Sequence, residues 1–503
     1  MNVIMVGFSV LFSDPMNIVL LASGIFMGIF FGAIPGLTAT LGVALMIPFT
    51  FNLLPVQGVT LLVSIYVGGI SGGLITATLI NIPGTPSSIF TCLDGYPMAK
   101  NGKPTEALAI GVFASLLGGT FSAIVLFGIA PQLAKVSLFF GNWEYFAVAL
   151  MGVSIVVAMS GNNLVRGLLG ALIGLLLGAV GMDSVTGVSR LTFGNWQLQG
   201  GISMTALMMG LFAIREIFDQ TADMNKEKIK VNLGKVSFLP PFKAMKGCGK
   251  AISIGSLVGS AIGILPGIGQ NAATILAYNQ AKNVSKHPEK FGKGSPEGIC
   301  ASESSNNAVN GGALIPLLTL GIPGDMTTAM LIGGLMIHGL QPGPLLFSSN
   351  TKVVGAVMAA YFVANVVMYF MELGLMKVFV KMINVKLALL FPAIIVCCVL
   401  GVLSLNNRIF DVWILLIFGV FGYIIKQLNV DLTPVILGFI LGPIVEKYFR
   451  MGMIASDGNF ADILTRPVAV ICLLISLIFI VTPYIKCSIE KKKNIKGKSI
   501  FCQ

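Results

Sequence analysis

Long apolar runs recur from one end of the chain to the other, with short polar segments between them. The clearest runs cover residues 107–130, 145–159, 164–181, 353–380, 385–403, 412–425 and 468–485. A helix needs about 20 apolar residues to cross the hydrocarbon core of a bilayer. The short alternating strands of an outer-membrane barrel are absent from the sequence. The pattern therefore predicts an all-α polytopic membrane protein with roughly ten to thirteen spans or half-spans.

Composition and charge placement support a multi-pass membrane protein. Only 10% of the 503 residues are charged, against about 25% in soluble domains. The net charge of +12 is unevenly placed, because no Lys or Arg precedes Lys100 and lysines gather in residues 219–250 and 486–503. Basic segments of membrane proteins stay on the cytoplasmic side. We therefore expect both segments to be cytoplasmic, and we expect the lipid bilayer as a partner and no nucleic acid.

One spacing of glycine and proline occurs twice. The first copy is Gly24, Gly28, Gly32, Pro35 and Gly36, and the second is Gly255, Gly259, Gly263, Pro266 and Gly267. A further break follows each copy, at Pro83-Gly84 and at Pro323-Gly324. The copies are offset by 231 residues and the later breaks by 240 residues, in the same order. This order predicts an internal duplication with two Pro-Gly-broken, discontinuous or hairpin helices in each repeat.

The charge distribution divides the chain into four parts. We expect a first membrane repeat at 1–218, a lysine-rich linker at 219–250, a second repeat with additional helices at 251–485, and a basic tail at 486–503. The first repeat begins without a basic residue, whereas the second begins directly after the cytoplasmic linker. Repeats that start on opposite sides of the membrane are predicted to have inverted topology, and in such proteins the binding site lies at the broken helices.

The breaks are the candidate binding site. Proline removes a backbone hydrogen bond, and glycine permits unusual backbone angles, so the freed groups must be satisfied by protein, water or ligand. A helix that starts after a break offers N–H groups to an anion. Hydroxyls beside the breaks can cap helices or donate to a carboxylate. The predicted substrate-binding residues are Asn81, Pro83, Gly84, Thr85, Ser87, Pro323, Gly324, Thr327 and Thr328.

A second set of residues could hold a small cation. Side-chain oxygens near a carboxylate suit a hard ion such as sodium, which predicts a cation site at Gly36, Gly267, Asn306, Asn307 and Asp325. Alternatively, the asparagines belong to an interfacial loop that caps the next helix. Glu297 and Glu303 could instead carry a coupling proton if they are buried. Glu372, Arg408 and Asp411 are further charges in an apolar context, the last two as a possible local pair.

Signatures of catalysis are missing from the sequence. It has two histidines, cysteines without metal-ligand spacing, and no P-loop or His-Glu-x-x-His motif. We expect no enzyme activity, no structural metal and no cofactor. If the protein transports a solute against its gradient, the energy would come from an ion gradient, with sodium or a proton as the expected coupling ion, or from another subunit.

Several motifs resemble one known family, the large membrane subunit of the tripartite tricarboxylate transporters (the TctA family). They are Gly32–Leu37, Asn81–Pro86, Asp94–Ala99, Ser285–Gly292, Asn306–Ala308, Pro316–Gly324 and Gln341–Pro344. The resemblance implies a cation-coupled symporter of citrate or other carboxylates in a prokaryotic cytoplasmic (inner) membrane. It also implies that the symporter works with a periplasmic solute-binding protein and a small four-helix membrane subunit. Asp325 stands where the family usually has a small residue. Alternatives are a stand-alone carboxylate or sugar-acid permease, a membrane-embedded enzyme, or a channel.

Overall fold

The fold is built almost entirely of helices, in a computed structural model that describes residues 3–159, 164–183, 185–220, 242–383, 385 and 387–494. The helices up to residue 220 are α1 Val3–Ser13, α2 Pro15–Ala33, α3 Ala39–Thr50, α4 Pro55–Ile80, α5 Ile89–Lys100, α6 Pro104–Ser137, α7 Asn142–Met159, α8 Leu164–Gly178, α9 Met204–Met209 and α10 Arg215–Gln220. A π-helical turn, Gly210–Ile214, joins α9 to α10. Short 3₁₀ turns lie at Pro86–Ser88 and Trp196–Leu198, and strands β1 Gly181–Met182 and β2 Ser189–Arg190 form a small antiparallel pair.

The remaining helices follow residue 248. They are α11 Gly249–Ile264, α12 Gly269–Val284, α13 Pro296–Leu320, α14 Met326–Ile337, α15 Pro344–Ser349, α16 Thr351–Gly374, α17 Met376–Met382, α18 Leu387–Asn406, α19 Ile409–Gln427, α20 Leu432–Ala455 and α21 Pro467–Asn494. Two further 3₁₀ turns lie at Pro288–Lys290 and Phe460–Thr465. Seven helices of the described residues are long and apolar enough to cross a membrane, namely α2, α4, α6, α16, α18, α19 and α20. The prediction of an all-α polytopic protein is confirmed.

Contacts divide the chain into two compact units. Unit 1 comprises Met1–Lys135 and Thr205–Val420, and unit 2 comprises Val136–Met204 and Phe421–Gln503. Both sets of Pro-Gly breaks therefore belong to unit 1. Much of the predicted linker falls on residues 221–241, and part of the predicted tail falls on residues 495–503, which lie outside the described residues.

The glycine spacing has a packing reason in both halves of unit 1. A Cβ on Gly24 would lie 2.6 Å from the carbonyl oxygen of Leu61, and one on Gly255 would lie 2.6 Å from that of Ala301. Leu61 and Ala301 differ by the same 240 positions as the later breaks. The close approach continues through the other glycines of each copy, along α2 against α4 and along α11 against α13. Small residues let two membrane helices approach closely, so the same helix pair is built twice.

The two halves of unit 1 also contact each other in a reciprocal way. Helix α5, which follows the break after α4, packs against α13. Helix α14, which follows the break after α13, packs against α4. In each half, the helix that follows the second break therefore packs against the long helix of the other half. The inverted orientation of the repeats stays a prediction.

Unit 2 packs α20 against α7 and α8, and α21 against α7. Next to β1, the carboxylate of Asp183 accepts the backbone N–H of Val185 at 2.7 Å and the guanidinium of Arg450. These interactions hold the pKa of Asp183 well below its usual range. Arg190 of β2 donates to Glu446 of α20 at 2.5 and 3.1 Å. The ion pairs fasten the β1–β2 connection to α20.

Two local expectations were tested directly. Arg408 and Asp411 form a 3.6 Å ion pair where α18 ends and α19 begins, which confirms a local pair at a helix end. The apolar run 353–380 is not one helix, because α16 ends at Gly374 and α17 starts at Met376.

Candidate functional site at the helix breaks

The break after α13 is closed by a carboxylate. Gly321 adopts a left-handed conformation (φ 72°) that ends α13, and Asp325 is the N-cap of α14. Asp325 Oδ1 accepts the backbone N–H of Thr328 at 2.7 Å, and the Asp325 N–H donates to Thr328 Oγ1 at 2.9 Å. A carboxylate at this position also interacts favourably with the positive end of the helix dipole. The positive end of α14 is therefore already matched by a negative charge of the protein.

The other oxygen of Asp325 joins both halves of unit 1. Asp325 Oδ2 accepts hydrogen bonds from Tyr66 Oη on α4 and from Gln270 Nε2 on α12. Gln270 Nε2 also lies 3.2 Å from Tyr66 Oη and 3.5 Å from Asn310 Oδ1 on α13. Nearby, Thr327 of α14 shares a 2.8 Å hydrogen bond with Thr40 of α3. The predicted residues of the second break thus lie where five helices of both halves meet.

The break after α4 has the same backbone form but different side chains. Asn81 ends α4 in the left-handed conformation (φ 56°), at the position equivalent to Gly321. Thr85, the equivalent of Asp325, makes no side-chain cap to the following 3₁₀ turn. Its Oγ1 instead lies 2.8 Å from Ser88 Oγ and 3.1 Å from Ser87 Oγ. The first break therefore presents a cluster of hydroxyls where the second presents a carboxylate.

The earlier Pro-Gly breaks, after α2 and α11, both need glycine. Gly36 and Gly267 have φ values of 90° and 75°, a region that side chains with a Cβ rarely adopt. The N–H of Gly267 donates to the carbonyl of Gly324 at 2.9 Å, so the two breaks of the second half are joined directly. Gly36 instead lies against the side chain of Gln220, a residue that the sequence did not single out.

The asparagine cluster is helical and buried. Asn306 and Asn307 lie in the middle of α13 with no exposed surface, so they are not part of an interfacial loop. Asn306 Nδ2 reaches the carbonyl oxygen of Ile70 on α4 at 3.5 Å, and Asn307 Nδ2 donates to the carbonyl of Glu303 at 3.2 Å. Neither Asn306 Oδ1 nor Asn307 Oδ1 has a hydrogen-bond partner among the described residues. Two acceptor oxygens are thus buried and unused on the helix that precedes the second break.

The two carboxylates considered for a proton differ in burial. Glu303 is completely buried and accepts hydrogen bonds from Thr91 of α5 and from Ser115 of α6. Glu297 is only half-buried and accepts from Ser285. The condition of burial is therefore met by Glu303 and not by Glu297.

The structure gathers the predicted residues into two separate groups. Those of the second half meet around Asp325 and Gly324, whereas Thr85 and Ser87 meet beside Gly73 of α4. Among the described residues, no hydrogen bond joins the substrate residues of one break to those of the other. Sequence reasoning missed Tyr66 and Gln270. Tyr66 is hidden in an apolar run, but the placement of Gln270 three residues after Pro266-Gly267 was an available signal.

A comparison with known families decides the relationship. The family described as "Tripartite tricarboxylate transporter TctA family" matches residues 18–437. This chain belongs to the TctA family. The match covers both halves with all four Pro-Gly breaks and runs on into α20. As a TctA-family member whose described residues include seven helices long enough to span a bilayer, it is a multi-pass membrane protein and a component of a membrane transporter.

Two relatives of the TctA-family chain come from Agrobacterium vitis. One, named "Uncharacterized 52.8 kDa protein in TAR-I ttuC' 3'region", is 36% identical over 480 residues, which is 95% of each chain. The other, named "Uncharacterized protein in TAR-II ttuC' 3'region", is 35% identical over 236 residues, 47% of this chain and 97% of the relative. No solved structure matches.

Proposed function

We propose that this chain is the transmembrane permease subunit of a secondary transporter that imports tricarboxylates or related carboxylates. It receives substrate from a periplasmic solute-binding protein, assembles with a small four-helix membrane subunit, and is driven by a sodium or proton gradient across the prokaryotic cytoplasmic membrane. Membership of a family of tripartite transporters supports the two partners.

The observation that carries the proposal is the chemical difference between two structurally equivalent breaks. Thr85, Ser87 and Ser88 provide hydroxyl donors at the first break, and no carboxylate of the described residues accepts from them. Asp325 places a negative charge at the second break and neutralises the start of α14. A substrate carboxylate is attracted by donors and repelled by a carboxylate. We therefore place the main carboxylate contact at the first break, with Pro323, Gly324, Thr327 and Thr328 as the opposite wall.

A cation would complete the site. The unused oxygens of Asn306 and Asn307 lie on α13, and the carbonyls around Gly36 and Gly267 and the charge of Asp325 are the other predicted contributors. Oxygen ligands of this kind suit a hard monovalent ion. A bound cation offsets substrate charge, which is costly to bring into a low-dielectric interior. Offsetting the substrate charge is the physical reason for coupling carboxylate transport to a cation.

The proposed carboxylate contact is tested by replacing one hydroxyl. Thr85→Val keeps the shape of the side chain but removes the donor, and a hydrogen bond to a charged group contributes about 1.5–3 kcal/mol. We expect the half-saturating concentration of labelled citrate to rise roughly 10- to 100-fold in vesicles that contain the permease and its partners. Thr120→Val is the matched control, because Thr120 donates to the Leu116 carbonyl within α6. Equal half-saturation in the Thr85 variant and the wild type would exclude this contact.

A second pair of variants tests the breaks themselves. Pro83→Ala and Asn306→Ala should each lower uptake strongly in folded protein. Pro83→Ala restores a backbone N–H at the break, and Asn306→Ala removes a side-chain oxygen that no group of the described residues uses. Pro392→Ala, which changes a proline inside α18, should leave uptake close to that of the wild type. Normal uptake by both test variants would remove the breaks from the transport path.

A further inference from the structure

Glu372 is a buried carboxyl that the proposed site does not use. It lies near the end of α16 with no exposed surface. Ser71 Oγ of α4 donates to its Oε2 at 2.6 Å, and its Oε1 has no hydrogen-bond partner among the described residues. Among the same residues, no ion pair includes Glu372. An ionised carboxylate with a single neutral donor is strongly disfavoured away from water.

Among the described residues, the helices around Glu372 supply no compensating positive charge. Helix α16 packs against α1, α2, α4, α15 and α17, and it also contacts α6 and α13. Helices α1, α2 and α15 carry no charged residue, and Tyr66 is the one titratable residue of α4. Lys377 and Lys381 of α17 and Lys352 of α16 are exposed, and Tyr361 and Tyr369 are the other titratable groups of α16. The charged residues of α6 and α13 are the carboxylic acids Glu106, Glu297 and Glu303, which carry no positive charge, and Lys135, which is exposed.

Glu303 is a less suitable proton carrier than Glu372. Both oxygens of Glu303 accept hydrogen bonds, from Thr91 and Ser115, and these donors stabilise its ionised form. Glu372 has one oxygen without a donor. Of these two buried carboxyls, Glu372 is therefore the one whose free oxygen can take a proton without losing a hydrogen bond.

One turn of α4 connects Glu372 to the candidate site. Ser71, its donor, follows Ile70, whose carbonyl accepts from Asn306. Two residues later, a Cβ on Gly73 would lie 2.5 Å from Thr85 Oγ1. The same turn thus contacts Glu372, the asparagine cluster and the first break.

We propose that Glu372 binds and releases one proton in each transport cycle. A proton from water on the periplasmic side adds to Oε1 as the O–H bond forms, and it is returned to water on the cytoplasmic side when that bond breaks. The added proton removes one negative charge next to the substrate site. This inference rests on the proposed function, because it names the ion that the carboxylate transporter uses.

The protonation step can be measured without substrate. Infrared difference spectra of the purified protein, recorded against pH, should show the C=O stretch of a buried carboxylic acid that appears and disappears with pH. The band should be absent in Glu372→Gln and present in Glu144→Gln, whose carboxylate is also buried but accepts from the Gly141 N–H in α7's first turn. A wild-type band that is independent of pH, or a titrating band that persists in Glu372→Gln, would overturn the proposal.

Transport measurements separate this inference from the proposed function. With labelled citrate and the cognate binding protein, a pH gradient should drive wild-type accumulation, whereas Glu372→Gln should lose accumulation but keep exchange of internal for external citrate. Ser71→Ala should shift the pH profile of uptake towards higher pH, because the ionised form loses its donor, and this variant retains the carboxyl if Glu372→Gln does not fold. Accumulation by Glu372→Gln under a pH gradient would refute the proton role alone. Wild-type vesicles that take up no carboxylate would refute the proposed function, while the infrared result would still decide whether Glu372 titrates.

Discussion

Asp94 holds the loop that leads into α13, and removing its charge should release that loop. Asp94 lies on α5, completely buried, and its Oδ1 accepts the N–H groups of residues 292–295 at 2.7 to 3.1 Å. Its Oδ2 accepts the hydroxyl of Tyr278 at 2.7 Å. These contacts join two of the family-like motifs, Asp94–Ala99 and Ser285–Gly292, and tie α5 of the first half to the second half.

The size of the effect follows from these five hydrogen bonds. A hydrogen bond to a charged group contributes about 1.5–3 kcal/mol, and a neutral one about 0.5–1.5 kcal/mol. Asp94→Asn keeps an acceptor but loses the charge, which removes about 1 kcal/mol from each bond. Gly292 and Lys293 are exposed, so water compensates part of the loss. We expect the loop to open more easily by about 3 kcal/mol, a roughly 100-fold change in the opening equilibrium.

Hydrogen exchange reports this opening directly, because the bonded groups are backbone amides. Mass-spectrometric exchange of peptides that cover residues 288–298 should be about 100-fold faster in Asp94→Asn than in the wild type. Glu289→Gln removes a charge from the same segment, but Glu289 is exposed and pairs with His287, so its exchange should match the wild type. Less than about a threefold difference in Asp94→Asn would refute the assigned role of the carboxylate.

Three other outcomes are expected from single substitutions. Gly263→Ala should destabilise the protein by about 1–3 kcal/mol by crowding α13, whereas Gly128→Ala, with open space around it, should stabilise it by up to about 1 kcal/mol. Thermal unfolding in detergent compares the two variants, and equal shifts of the unfolding temperature would contradict the packing account. Tyr66→Phe removes a donor to Asp325 and should lower stability by about 1–2 kcal/mol together with citrate uptake, so unchanged values of both would contradict the contact. The Val185 N–H and Arg450 lower the pKa of Asp183, so Asp183 stabilises the fold above its unfolded pKa of about 3.9 and loses this contribution as the pH falls through its lower folded pKa. In acid denaturation, the stability of Asp183→Asn should therefore approach that of the wild type at low pH. A stability difference that stays constant with pH would contradict the assignment.

Sequence patterns were most informative where local chemistry decides the structure. Proline, glycine and left-handed positions end α4 and α13 where the breaks were predicted, because few residues tolerate those backbone angles. Asp325 caps α14 as expected of a short acidic side chain after a break. The apolar runs predicted the helices, apart from the division between α16 and α17.

Contacts between distant residues were beyond the reach of these patterns. Tyr66 and Asp325 are 259 positions apart, and nothing in the apolar run of α4 marks Tyr66 for a polar partner. The donors of Glu372 and Asp94 come likewise from other helices or loops. Which buried oxygens stay unused depends on how four or five helices meet, and that packing is a property of the assembled fold.

Gradient-driven uptake is the most direct test of the proposed function. The measurement is accumulation of labelled citrate and of a labelled dicarboxylate in vesicles that contain this chain and the small subunit, with binding protein outside and with a sodium gradient, a pH gradient or neither. We predict saturable accumulation above equilibrium that requires the binding protein and one of the two gradients. Uptake that is indifferent to both gradients, or flux that rises linearly without saturation, would contradict a cation-coupled carboxylate importer.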